Sequence, residues 1–293
     1  MFHIQQIDSL DRPELAPYRT LKRSAEHEAL GIFVAEGDKI VQRLLASQFG
    51  VVSLLILERR LAEFEPLLRT RPESDITVYM AAEKSVMTAL TGYELFQGVL
   101  AIGRIPAPAA LPQVLATAPR PRLFAAADEL ANAENIGTLV RNCTAFDVQA
   151  LLVGETSSSP FLRRAVRNSM GAIFQLPVVE LGREHRQLAE PGRPPRRDVP
   201  RSTLAQTLQE LRRHGIQSIA AHPSATGKTL SQADFTGDCC VVFGSEGQGI
   251  SAAVLAACDE AVAVPMANGV DSLNVSAAAA VFLYEARRQR GKA

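Results

Sequence analysis

Two polar turns set between apolar runs constrain this chain more than any other feature in it. The first, Phe243-Gly244-Ser245-Glu246-Gly247-Gln248-Gly249-Ile250-Ser251, follows the apolar run Cys239 to Phe243 and precedes a helical run, Ser251 to Cys258, with Ser251 placed to cap it. The second, Val264-Pro265-Met266-Ala267-Asn268-Gly269-Val270-Asp271-Ser272-Leu273-Asn274-Val275-Ser276, follows the apolar run Ala261 to Val264 and precedes a helix over Ser276 to Arg288. Each turn therefore lies after a strand and before a helix. In open α/β sheets that is the carboxyl edge of the strands, where ligands bind. A lone glycine-rich loop says little, but two such turns in one short stretch mark the last third as the functional end. Ser272, Asn274 and Ser276 stand among small apolar residues. Polar side chains at a helix start often do no more than cap it, so Asn274 and Ser276 fit either role.

The 293 residues allow two domains. Residues 1–105 read as a compact α/β unit. It holds a charged helix over Tyr18 to Ala29, a strand over Phe33 to Gly37, and a helix from Asp38 to Ala46 with Ile40, Val41, Leu44 and Leu45 on one face. Strands at Val51 to Leu57 and Ile76 to Tyr79, a short helix at Glu83 to Leu90 and a strand at Gln97 to Ile102 complete it. Prolines at 106, 108, 112, 119 and 121 predict a semi-rigid linker over 106–121. In 122–293, a strand at Leu123 to Ala127, a helix from about Ile136 to Phe146 and a strand at Ala150 to Val153 form a βαβ unit, which predicts a parallel sheet. A basic helix, Phe161 to Ser169, and a strand, Pro177 to Glu180, follow; Thr203 to His214 is an amphipathic helix and Gln217 to Ala221 the next strand. Between these, 183–201 carries six arginines and four prolines and reads as an insertion, either an RNA-touching arm or a tolerated surface segment.

Net charge is zero, so any nucleic-acid contact must come from a local patch. The four cysteines, Cys143, Cys239, Cys240 and Cys258, form no C-x-x-C pair and the five histidines are scattered, so neither a metal site nor a disulfide framework is expected. No apolar run approaches the length of a membrane span, and Met1-Phe2-His3-Ile4 soon turns polar, so the expected setting is the cytoplasm, away from membranes. Thr226-Gly227-Lys228-Thr229 mimics the end of a phosphate-binding loop, but His222 stands where the motif needs glycine. Gly247 to Ala252 satisfies G-x-G-x-x-A, yet no acidic residue ends the following strand, so NAD binding is disfavoured.

Upstream of both turns lies Asn132-Ala133-Glu134-Asn135-Ile136-Gly137-Thr138-Leu139-Val140-Arg141. That stretch, then Gly244 to Gly249, then Ser272 to Ser276, resemble in order the three motifs of the SpoU (TrmH-like) class of SPOUT RNA 2′-O-ribose methyltransferases. Val166 to Ala172 is also like the family, and Phe33 to Gly37 with Gln97 to Ala101 resemble its small L7Ae/L30e-like RNA-binding domain. Ala133-Glu134 departs from relatives that often carry Pro or Gly there.

The resemblance implies an α/β fold whose C-terminal SPOUT domain has a parallel sheet and a trefoil knot. It implies S-adenosylmethionine as methyl donor, held by Gly244, Gly247, Val264, Met266, Ser272 and Leu273. It implies a catalytic set of Arg141, Asn135, Glu246, Ser272 and Asn274, no metal, a homodimer, and RNA as partner, ribosomal before transfer RNA. Arg141 aligns with the arginine that activates the ribose hydroxyl. Arginine is a donor rather than a base, so it acts either by burial and perturbation or by holding a phosphate while that phosphate or water takes the proton. The alternative is an inactive RNA-binding protein of the same fold.

Overall fold

A strand that closes on its own apolar face needs a covering layer, and both halves of this chain supply one. The computed structural model describes residues 2–82, 86–87, 98–182, 203–223, 228–267 and 269–291. They divide into two compact units. One takes in the residues up to Ala107 together with Phe161–Phe174; the other takes in Pro108–Pro160 and the described residues from Gln175 onward.

The first unit runs β1 (Phe2–Ile7), α1 (Ala16–Arg19), α2 (Ser24–Ala29), β2 (Ile32–Glu36), α3 (Asp38–Leu45), β3 (Val51–Leu57), α4 (Leu61–Arg69), β4 (Ile76–Ala81) and β5 (Val99–Arg104). Its sheet has the order β1-β4-β3-β5-β2. The β1/β4 and β3/β4 pairs are parallel; β3/β5 and β2/β5 are antiparallel. Ile40, Val41, Leu44 and Leu45 of α3 are buried, the face their spacing predicted.

Two expectations change here. The strand β1 was not anticipated, because its middle residues are exposed and carry no buried alternation. The single helix expected over Tyr18 to Ala29 is two short helices. Between them Thr20 Oγ1 donates to Ala16 O, and the buried His27 places Nε2 3.0 Å from Pro17 O and 3.1 Å from Thr20 Oγ1, which fixes a corner. Burial lowers the His27 pKa, so the ring stays neutral and donates to the carbonyl. The helix expected over Glu83 to Leu90 lies almost wholly outside the described residues, as do Gln97 and the 183–201 insertion.

The second unit contains α5 (Leu111–Thr117), β6 (Leu123–Ala127), α6 (Ala133–Ala145), β7 (Ala150–Val153), β8 (Val178–Glu180), α8 (Leu204–Arg213), β9 (Gln217–Ala221), β10 (Cys239–Phe243), α9 (Ala252–Ala257), β11 (Glu260–Val262) and α10 (Val275–Gln289), while α7 (Arg163–Asn168) belongs to the first unit. All six strands are parallel, in the order β11-β9-β10-β6-β7-β8. This is the parallel α/β sheet that the βαβ pattern predicted. Strands β6 and β10 are buried at every position, as strands covered on both faces must be. Phe124, Ala126, Cys240 and Val242 pack with Leu204, Leu208 and Leu211 of α8 and Val254 of α9. On the other face Phe243 meets Phe282 of α10, ring centroids 6.1 Å apart. The linker expected over 106–121 instead contains α5. Pro112 is tolerated in its first turn, and Leu111, Val114 and Leu115 are buried in the core just described.

The sequence reading put 161–174 with the domain that starts at 122, whereas its contacts join it to the first unit. Phe161 and Phe174 stack within 5.4–6.1 Å of Phe33 and Phe49. Glu36, 8% exposed, accepts from Arg163 at 2.9 Å and Arg167 at 3.4 Å. A buried carboxylate needs compensating charge, and the two arginines supply it, so this basic helix is anchored to the first unit's sheet through its charges.

Candidate active site

The strand order turns around between β10 and β6. Chain progress runs from β6 to β7 and β8 on one side and reaches β9, β10 and β11 on the other. Such a switch point opens a crevice outside the carboxyl ends of the strands. The register pairs Phe243 with Ala127, the last residues of β10 and β6, so Gly244 and Asp128 emerge side by side at that edge.

The turn after β10 is closed by its own backbone. Ser245 N–H donates to Gly249 O at 2.9 Å and Gly249 N–H returns to Ser245 O at 3.0 Å, while Gln248 N–H donates to Ser245 Oγ at 3.2 Å. Gly249 has φ +73°, in the left-handed region. A Cβ on Gly244 would collide with the backbone of Gly249 and Ile250, whereas one on Gly247 would meet nothing within 4 Å. Thus Gly244 is required by the turn's own packing, and Gly247 faces open space. Asp128, 4% exposed, donates its N–H to Phe243 O at 2.8 Å and accepts Ser251 N–H on Oδ2 at 2.7 Å.

Helix α6 begins at Ala133, three residues earlier than expected, because the Asn132 side chain accepts Glu134 N–H at 2.8 Å and caps it. That puts Asn135 in the first turn, buried. Helix α10 is capped by Asn274, whose Oδ1 accepts Ser276 N–H at 2.9 Å. The same side chain does more than cap: its Nδ2 donates to Glu246 Oε1 and approaches Asn135 Oδ1 at 3.4 Å. Asn274 thus joins the three sequence motifs through one amide. One turn further along, Thr138 Oγ1 meets Ser276 Oγ and Asn142 Nδ2 donates to Ser276 O at 2.7 Å, which ties α6 to α10.

The expected site residues divide. Asn135, Glu246 and Asn274 are brought together. Arg141 is on α6, exposed, with no side-chain hydrogen bond or ion pair among the described residues; Glu246 turns to Asn274 rather than to it. Val264, Met266 and Leu273 are half-buried and Ser272 is exposed, all beyond the carboxyl end of β11. Because β9 lies between β11 and β10, the ends of β11 and β10 stand two strand spacings, about 10 Å, apart along the sheet edge. Asp128, Thr138 and Asn142 were not picked out from the sequence. For Thr138 and Asn142, the spacing from Asn135 on one helix face was the available signal.

Burial holds the thiols of Cys239 and Cys258 up at about 11 and about 12, and raises Cys143 and Cys240 as well. All four stay protonated at neutral pH and are poor nucleophiles. Among the described residues no group of His, Cys, Asp and Glu is arranged to hold a metal, and no helix is long and apolar enough to cross a membrane.

Comparison with known proteins agrees with the motifs. The SpoU rRNA Methylase family matches residues 122–191 and 198–284. The uncharacterized tRNA/rRNA methyltransferase Rv0881 of Mycobacterium tuberculosis is 32% identical over 97% of this chain and 92% of its own. The 23S rRNA (guanosine(2553)-2′-O)-methyltransferase RlmP of Bacillus subtilis is 26% identical over 97% of this chain and all of its own, 100%. The crystal structure of the SpoU methyltransferase AviRb from Streptomyces viridochromogenes, in complex with the cofactor AdoMet, superposes with a TM-score of 0.76 at 25% identity, covering 95% of this chain and 98% of that one. With its three motifs gathered at one sheet edge and its family matched over more than half its length, this chain belongs to the SpoU rRNA Methylase family.

Proposed function

We propose that the protein transfers a methyl group from S-adenosylmethionine to a ribose 2′-hydroxyl of RNA, ribosomal rather than transfer RNA. The observation that carries this reading is the Asn274 amide, which gathers Glu246 and Asn135 at the switch point of the sheet. The 2′-O specificity in the name of the B. subtilis relative and the AdoMet bound to the Streptomyces protein support the same chemistry.

The residues fit the donor. Gly247 and Gly249 leave open space where side chains would stand, so main-chain groups of the turn can approach a ligand. Half-buried Val264, Met266 and Leu273 offer an apolar wall for the adenine, and Ser272 a hydroxyl beside it. Gly244 serves indirectly, by letting the turn close. When bound, S-adenosylmethionine supplies an electrophilic methyl group. Exposed Arg141 is suited to hold the RNA phosphate beside the target ribose, and that phosphate or water accepts the hydroxyl proton; the burial that would let it act as a base is absent. Glu246, Asn135 and Asn274 form the polar wall that orients the sugar. Alignment of this kind is worth roughly 7–11 kcal/mol of barrier. In the same reading the second unit is trefoil-knotted and pairs with a second copy, the first unit is an L7Ae/L30e-like RNA-binding domain, and the enzyme works in the cytoplasm.

Calorimetry with S-adenosylmethionine, S-adenosylhomocysteine and NAD tests the donor, and transfer of labelled methyl to ribosomal or transfer RNA, digested to nucleosides, tests the acceptor. The expected product is a 2′-O-methyl nucleoside from ribosomal RNA. Donor-independent RNA binding without transfer would favour an inactive RNA-binding protein, and NAD binding would overturn the donor assignment.

A further inference from the structure

We infer that Asp128 is the positioning residue of the donor-binding turn: it fastens both feet of the Gly244–Ser251 loop and so sets its affinity for the donor. The inference rests on the donor site proposed above. Asp128 leaves β6 beside the point where Gly244 leaves β10, because Ala127 and Phe243 are register partners. Its N–H holds Phe243 O at 2.8 Å, the residue before the turn. Its Oδ2 takes Ser251 N–H at 2.7 Å, the residue that ends the turn. One residue thus spans the gap that the turn itself bridges, with a main-chain bond at one foot and a carboxylate at the other. Ser251 N–H is one of the donors that a helix start leaves without an internal partner, and a carboxylate is a strong acceptor for it.

Asp128 is itself held in place. Glu129, the next residue, has φ 54°, a left-handed conformation that side-chain-bearing residues seldom adopt. That turn is braced from behind: Leu130 N–H donates to Ser157 Oγ at 3.1 Å, Ser157 Oγ donates to Ala127 O at 3.1 Å, and Ser158 N–H donates to Leu130 O at 2.8 Å. Unusual backbone maintained by its surroundings is a mark of functional sites. At 4% exposed, Asp128 cannot reach RNA in solvent, and it acts through the turn rather than on substrate.

Three full-length proteins test this: wild type, Asp128→Ala and Asp128→Asn. Asp128→Ala is expected to speed amide exchange across 244–251 more than elsewhere in the chain. It should weaken S-adenosylmethionine binding by roughly tenfold or more, since a charge-assisted hydrogen bond is lost. At saturating donor, kcat should stay within about threefold, so the defect falls on the KM for donor; loss of folded protein would lower kcat and leave that KM unchanged. Asp128→Asn keeps an acceptor for Ser251 N–H and should return the affinity to within about threefold of wild type. Unchanged exchange over 244–251 in Asp128→Ala overturns the clamp whatever the donor does. Faster exchange with unchanged donor affinity overturns its link to the donor. A wild type that binds no S-adenosylmethionine overturns the donor site itself, and with it the role assigned to Asp128.

Discussion

The two polar turns at the carboxyl edge of the second sheet are built by opposite means. The turn at 244–251 is closed by reciprocal Ser245–Gly249 backbone bonds and fastened at its feet by Asp128. The turn at 264–273 has, among its described residues, a backbone bond from Val270 N–H to Ala267 O and no side-chain hydrogen bond until Asn274 is reached. Pro265, Ala267, Gly269, Val270, Asp271 and Ser272 are exposed. One loop is pre-shaped, so little ordering cost falls on binding; the other takes its shape from its two ends. The Asn274 amide is what connects them, and it does so across 28 residues of chain to Glu246.

The largest effect should come from the closed turn. Gly244→Val drives a side chain into the backbone of Gly249 and Ile250, which cannot make room while the turn stays closed, and should take donor binding below detection by calorimetry. Gly247→Ala, with open space at the same atom, should keep the turn closed and stability within about 0.5 kcal/mol of wild type, so its cost to donor binding stays well short of that of Gly244→Val. Equal effects at the two glycines would break the picture of a self-packed turn.

Arg141 lies on neither turn, and its contribution should separate from theirs. Arg141→Ala is expected to lower kcat about a hundredfold while donor affinity holds. A donor Kd that moves with it would mean that α6 shares in shaping the pocket.

The link between the turns can be cut while the cap is kept. Asn274→Ala should cost about 1 kcal/mol in denaturant unfolding, through the lost cap, and about tenfold in kcat. Asn274→Ser retains a capping oxygen without the Nδ2 donor. Its stability should fall by less than about 0.5 kcal/mol while its kcat falls as far as that of the alanine variant. A serine variant with full activity would reduce Asn274 to a cap.

The smallest effect belongs to the open turn. Val270 is 52% exposed, and Val270→Ser should leave the melting temperature unchanged, within about 0.5 kcal/mol of stability. A larger loss would reveal that the second turn is anchored internally after all.

Much of this architecture was legible. The strands β3, β6, β7 and β10 read as apolar runs because both faces are covered, and α3 declared its buried face by spacing. The edge strand β1 was not legible, since four of its six residues carry exposed side chains and nothing distinguishes them from loop. Proline counting misread 106–121 for a related reason: a proline in the first helical turn costs nothing, and the burial of Leu111, Val114 and Leu115 is decided by what lies beneath them. The grouping of 161–174 with the first unit depends on Phe33, Phe49 and Glu36, more than a hundred residues earlier in the chain.

The same division runs through the site. Caps, glycine turns and the order strand–turn–helix are local: a few neighbouring residues and the hydrogen-bonding needs of helix ends determine them, so the sequence alone specified the two turns and the motif helix. The tertiary structure decided that Phe243 stands beside Ala127, that Asp128 therefore reaches Ser251 across 123 residues, and that Asn274 reaches Asn135 across 139. Those bonds exist only once parallel strands are paired in one register and one order. Register is set by how side chains of distant elements pack together, and no local stretch of sequence encodes it.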